Sequence, residues 1–215
     1  MPAPAAAERI TAAYELNSHT DIVTHPPRPA AARPQRQERT VDPARAATRR
    51  YLGRVPGIWQ DLELGAPEIA RLGMNRINAA RVALLGTLRP DASPRISPVE
   101  PYFVEGQLLV GAMTWSRKAA DLLRDPRYVL HSAVTGPDAD EGELKLYGSA
   151  VEAGQDLRSA AAEAWWTAFA PDKAMVFSLR IAQAAFIEWD TGHGLMTVHR
   201  WSPASGYSQI SRGYP

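Results

Sequence analysis

Apolar and polar positions change spacing several times along this chain, and each change predicts an element. In Pro67–Ala79 the apolar residues fall at 69, 70, 72, 74 and 77, a helical spacing, with Pro67 and Glu68 as start signals. Val82–Leu88 is a nearly continuous apolar run, as expected of a strand buried on both faces. Arg89-Pro90-Asp91-Ala92-Ser93-Pro94 has the residues of a turn, and Arg95–Tyr102 returns as a second strand. Glu105-Gly106 marks a tight turn into a third strand, Gln107–Met113. Thr114–Pro126 reads as a helix, with Ser116 as N-cap, Pro126 as stop and an apolar side of Ala119, Leu122 and Leu123. Further strands are expected at Tyr128–Val134, Glu143–Glu152, Ala174–Gln183, Ala185–Asp190 and Gly194–Ser202, with an Ala-rich helix over Gln155–Phe169. The tail after Pro203 looks short and turn-like. Many short strands, hairpin-length links and few helices predict a mainly β protein, an antiparallel barrel rather than a parallel sheet.

Residues 1–55 break this pattern. They are rich in Ala, Pro and Arg, with Pro26-Pro27-Arg28-Pro29 and Pro34 interrupting any regular element; Glu8–Leu16 has the composition of a short helix but no partner face. Such a segment buries too little apolar surface to offset its ordering entropy, so a flexible extension is expected. The organisation read from the sequence is therefore an extension over 1–55, a barrel domain over 56–203 with a lead-in helix at about 67–79, and a tail over 204–215.

Composition narrows the chemistry. The 215 residues include no cysteine, which excludes disulfides, thiolate metal sites and cysteine nucleophiles. No apolar run approaches the ~20 residues that span a bilayer, and the start lacks a basic stretch followed by an apolar one. A cytoplasmic protein without a membrane partner is the expectation. The net charge of +1 is uneven: residues 1–55 hold nine Arg against five acids, leaving 15 basic against 18 acidic residues beyond. A slightly acidic folded part argues against nucleic acid as a partner.

One charge pattern stands out. Arg117 and Lys118 occupy the first turn of the Ser116 helix, where the dipole carries roughly +0.5 of a charge and acids are the stabilising choice. Two readings fit. Either two basic side chains extend into solvent from an ordinary helix start, or an anion such as phosphate docks there and reverses the sign of the electrostatics.

The order of strand, turn, strand, Gly turn and strand leads into Ser116-Arg117-Lys118 with Asp125-Pro126-Arg127 downstream. Together with the hairpin Leu88–Val99, it resembles the pyridoxamine 5'-phosphate oxidase-like family, the FMN-binding split β-barrels. The likeness runs from about Trp59 to about Ser202. It implies an antiparallel, Greek-key type split barrel, homodimeric, with a flavin between protomers and with FMN-dependent oxidoreductase activity on a small-molecule substrate. It further implies that Ser116, Arg117 and Lys118 hold the cofactor phosphate, that Arg95, Ile96, Ser97, Pro98 and Val99 line the ring and ribityl chain, and that Ala112, Met113 and Thr114 approach it. The family's C-terminal substrate motif, Arg-x-His then Arg-Leu-x-Pro, has no clear copy; the chain reads Thr197-Val198-His199-Arg200-Trp201. The resemblance therefore does not carry vitamin B6 oxidation over to this chain. A deazaflavin (coenzyme F-420) bound in the same groove and a non-catalytic flavin or haem carrier are the alternatives.

The remaining polar residues invite plainer readings. His131 is expected to be a satisfied, partly buried strand residue, and His193 and His199 surface residues without zinc spacing. Trp165-Trp166 with Phe169 reads as packing, Lys145 as solvent-facing, Arg127 as a structural cation beside Asp125, and Asp138–Glu143 as a solvated acidic loop. No metal site, hydrolytic triad, phosphate loop or dinucleotide fingerprint can be assembled.

Overall fold

The helices and strands follow from where the apolar spacing finds a partner. The computed structural model describes residues 56–134, 142–164 and 173–213. The N-terminal extension with Glu8–Leu16, the acidic loop up to residue 141, and Trp165, Trp166 and Phe169 lie outside the described residues. A short helix α1 (Trp59–Gly65) turns at Ala66 into α2 (Pro67–Ala80), which has Pro67 at its first turn as expected. Trp59, Leu62, Ile69 and Ile77 are each at most 1% exposed, so both helices place their apolar sides on one face of the sheet.

The sheet comprises β1 (Ala83–Leu88), β2 (Pro94–Val99), β3 (Pro101–Val104), β4 (Gln107–Met113), β5 (Arg127–Ser132), β6 (Glu143–Glu152), β7 (Ala174–Asp190), β8 (Leu195–Ser202) and β9 (Gly206–Gly213). Its order is β2-β1-β5-β6-β7-β4-β3, with β8 beside the second half of β7 and β9 beyond β8. Every one of these pairings is antiparallel. The consecutive strands β2 and β3 end up at opposite ends of this order, so the curled sheet is open between them, as in a split barrel. Helix α3 (Arg117–Arg124) follows β4 and packs against β1 and β4, and α4 (Gln155–Ala164) packs against β3.

The inner face of the sheet carries the core. Leu85, Leu108, Leu130, Leu144, Leu146, Phe177 and Phe186 are 2% exposed or less, and they form one cluster with the α1 and α2 side chains. The second face is covered by α4 over β3, β4 and the start of β7, where Val104, Leu109, Ala161 and Val176 form a smaller cluster, but it is left open at β1. That explains the first departure from expectation: β1 is buried on one face only, with Ala83, Leu85 and Thr87 inside and Leu84 43% exposed.

Three further boundaries differ. The expected strand Arg95–Tyr102 is two strands that separate at Glu100, where the chain leaves one end of the sheet for the other. The two strands expected at Ala174–Gln183 and Ala185–Asp190 are a single strand of 17 residues, which pairs β4 with its first part and β8 with its last. Its register against β6 shifts at Tyr147/Gly148, and such a bulge moves the alternation by one residue, which in sequence mimics a strand break. Gly148 is required there, because a Cβ would lie 1.8 Å from the Arg180 carbonyl oxygen. Finally, the tail after Pro203 contains β9, an edge strand exposed at every position and therefore without apolar alternation to announce it.

Candidate functional site

Helix α3 packs against β1 and β4 and reaches β2 through two side-chain contacts. Ser116 caps the helix as expected, its Oγ accepting from the Ala119 N–H at 3.3 Å, and the Ser116 N–H closes a turn on the Met113 carbonyl at 2.9 Å. The Thr114 N–H donates to the Lys173 carbonyl at 3.0 Å, which fixes the approach to the helix. Ala119 and Leu122 anchor α3 in the core, but Leu123, read as apolar-side, is 57% exposed. The buried position between the anchors belongs to Asp121 instead, at 2% exposure.

Asp121 organises the neighbourhood. Its Oδ2 accepts from Thr87 Oγ1 at 3.0 Å and from Arg95 Nε at 2.6 Å, and its Oδ1 from Arg124 Nη1 at 3.3 Å. Arg124 also donates to the Leu88 carbonyl. Thr87 and Arg95 are direct cross-strand partners on β1 and β2, so one carboxylate ties both strands to the helix. Burial pushes the Asp121 pKa up, but the bonds from Arg95, Thr87 and Arg124 outweigh it and hold the carboxyl below its usual range.

The two cations at the helix start are arranged differently. Arg117 is exposed and has no ion-pair partner among the described residues. Lys118 is half-buried, and its Nζ donates to the Pro98 carbonyl of β2 at 3.1 Å. Burial pushes its pKa below the ordinary lysine value; the charge of Glu100 opposes this but does not cancel it. The backbone amides of Arg117 and Lys118 belong to the first turn and have no intrahelical acceptor. Two cations and two first-turn amides without an intrahelical acceptor therefore share one helix start, a donor set suited to an anion.

The residues singled out by sequence divide by depth. Val99 and Ala112, both 5% exposed, join Ala119 in the core cluster, so their side chains form the floor. Ser97 and Met113 are half-buried, while Ile96, at 71% exposure, Pro98 and Thr114 are open. Pro98 and Lys118 are in direct contact, and Arg95 reaches α3 through Asp121. Asp121, Thr87 and Arg124 were not anticipated. The available signal was an acid flanked by the apolar Ala119 and Leu122 in a helix of eight residues, too short for its periodicity to fix which side is buried.

The other polar readings have mixed outcomes. His131 is partly buried and satisfied as expected, with Nδ1 2.7 Å from the Ser132 carbonyl and Nε2 3.4 Å from Glu143. Lys145, expected to face solvent, lies on Glu143 at 2.7 Å. Arg127 pairs with Asp125 at 2.6 Å. His193 is exposed, but His199 is not a surface residue: it is 3% exposed, with Nε2 2.6 Å from Glu188 and Nδ1 2.8 Å from the Tyr207 hydroxyl. The strand β9, unseen in the sequence, covers it. No group of metal-ligating side chains occurs among the described residues, and no helix among them is long and apolar enough to cross a membrane.

The fold is that of the split β-barrels, shared with several solved structures. A pyridoxamine 5'-phosphate oxidase-related, FMN-binding protein from Nostoc punctiforme matches with a TM-score of 0.53 at 17% identity, over 69% of this chain and 96% of that one. PhzG from Burkholderia lata, solved in complex with tetrahydrophenazine-1-carboxylic acid, matches with a TM-score of 0.51 at 12% identity, over 71% and 92% of the two chains. A heme-binding protein from Mycobacterium smegmatis gives a TM-score of 0.48 at 15% identity, over 69% and 89%. At these identities the likeness is one of fold. No family model matches the chain, and no curated protein matches it in sequence.

Proposed function

We propose that this chain is an FMN-binding flavoprotein that acts as an oxidoreductase on a small molecule. The observation that carries the reading is Lys118: a half-buried ammonium, answered by a carbonyl rather than a carboxylate, next to an Arg117 that is unpaired among the described residues at a helix start. A phosphate monoester supplies the missing charge and accepts from both free amides. The exposed Ile96 and Pro98 on the adjacent strand offer an apolar ledge for a flat ring. The bound flavin would supply hydride and electron transfer at its ring; the chain's own part is to anchor the phosphate with Arg117 and Lys118 and to orient the ring along β2. FMN is also what the Nostoc punctiforme protein of this fold is described as binding.

The same reading includes a homodimer that encloses the cofactor. By register, Pro98 sits across from Leu84, and Ile96 across from Gly86, on the face of β1 and β2 that leaves Leu84 and Ile96 exposed. Exposed apolar residues in adjacent rows are suited to a second copy of the chain. Histidine-ligated haem is the weaker reading, because His131 and His199 already have both ring nitrogens engaged. The purified full-length chain should carry, or take up on titration, a yellow flavin chromophore. A protein that ignores FMN but binds a deazaflavin or haem would replace this reading.

A further inference from the structure

We infer that Asp121 is a positioning residue for the anion cradle, acting through Arg95; the inference rests on the phosphate-binding reading above. The geometry has three parts. First, Arg95 gives only its Nε to Asp121, at 2.6 Å, and its two terminal nitrogens have no protein partner among the described residues. A guanidinium held by Nε is fixed in orientation and still presents two donor groups in a rigid fork. Second, β2 runs beside α3 with two cross-contacts, Arg95 to Asp121 and Lys118 to Pro98. The held guanidinium and the ammonium therefore lie along the same strand and helix pair. Third, Asp121 is itself fixed: its side chain is 3% exposed, and Thr87 and Arg124 bind it from β1 and from the next helical turn. A swivelling carboxylate would aim nothing, whereas one held by three donors can. Asp121 thus supplies Arg95 as a third cation beside Arg117 and Lys118.

The sign of its effect separates positioning from simple electrostatics. Asp121 is negative, so its removal would strengthen anion binding if charge alone mattered. Positioning requires the opposite. In the full-length chain, Asp121→Asn should weaken FMN binding, followed by quenching of flavin fluorescence, by about tenfold or more, the worth of a misdirected charge-assisted bond. Arg95→Ala should lose as much, and the double variant no more than the larger single loss. Equal or tighter FMN binding by Asp121→Asn, or multiplicative losses in the double variant, overturns the inference. Should Asp121→Asn fail to fold, Arg95→Lys decides. It keeps the charge but removes the Nε that Asp121 holds, so it should bind as poorly as Arg95→Ala; wild-type affinity in Arg95→Lys refutes positioning. If the wild-type chain binds no FMN, the proposed cofactor is wrong, and the same variants are compared by the rise in melting midpoint that inorganic phosphate produces. A rise in the wild type that is lost in Arg95→Lys supports positioning, and an equal rise in both, or in neither, refutes it.

Discussion

Replacing Tyr207 by Phe tests the part of the structure that the sequence concealed. The Tyr207 hydroxyl lies on β9, 2.8 Å from His199 Nδ1 and 3.0 Å from Gln209 Oε1, and His199 is bound on its other side by Glu188 at 2.6 Å. His199 is 3% exposed, so loss of the hydroxyl leaves a buried ring nitrogen unsatisfied. Tyr207 itself is 41% exposed, so water can take over part of the hydroxyl's role. A net cost of about 1 kcal/mol follows, toward the lower end of the range for unpaired buried groups. For a chain of this size that lowers the melting midpoint by about 2–4 °C. Urea unfolding followed by tryptophan fluorescence gives the free energy directly, because Trp201, across from Tyr207 on β8, is buried. Two partners that touch must also couple: in the cycle with His199→Ala, the two losses should fall short of additive by about 0.5 kcal/mol or more. A Tyr207→Phe variant within a few tenths of a kcal/mol of wild type, with additive losses in the cycle, would mean that β9 does not cover His199.

Two further outcomes follow from the packing. Gly148→Ala places a methyl 1.8 Å from the Arg180 carbonyl at the bulge, so the variant should lose about 3 kcal/mol or more in denaturant unfolding; a neutral result would mean that the bulge is not where β6 and β7 place it. The Asp121 carboxyl is held below its usual range in the folded chain, so its contribution to stability is complete above the unfolded carboxylate range and is lost as pH falls through the lowered folded value. The urea midpoint should therefore fall on acidification, with a smaller slope in Asp121→Asn, and equal slopes in the two proteins would remove Asp121 from the account.

What was legible in the sequence was whatever had two-sided contrast. The helix over Pro67–Ala79, the Glu105-Gly106 turn and the Ser116 cap each rest on local chemistry that needs no partner, and each is where it was expected. Gly106 and its neighbour Glu105 both adopt the positive φ such a turn requires. The less legible features depend on distant neighbours. Leu84 is exposed because the second face of the sheet is left open at β1, which the run Val82–Leu88 cannot reveal. The single strand Ala174–Asp190 hid behind a bulge, and β9 hid because an edge strand buries nothing. At the site, the paired cations were visible as a conflict with the helix dipole. Asp121 was not, because a carboxylate becomes a buried hub only when β1 and β2 bring Thr87 and Arg95 to it.

The central claim is that the start of α3 holds a flavin phosphate. Its most direct test is the affinity for FMN of the full-length chain against the Arg117→Ala/Lys118→Ala variant, by flavin fluorescence, with near-UV circular dichroism as the control for folding. Arg117 is exposed and unpaired among the described residues, and Lys118 makes one carbonyl contact, so the fold should persist. The account predicts tight binding by wild type and a loss of about a hundredfold or more in the variant, the worth of two charge-assisted contacts. A folded variant that retains FMN with wild-type affinity would contradict it.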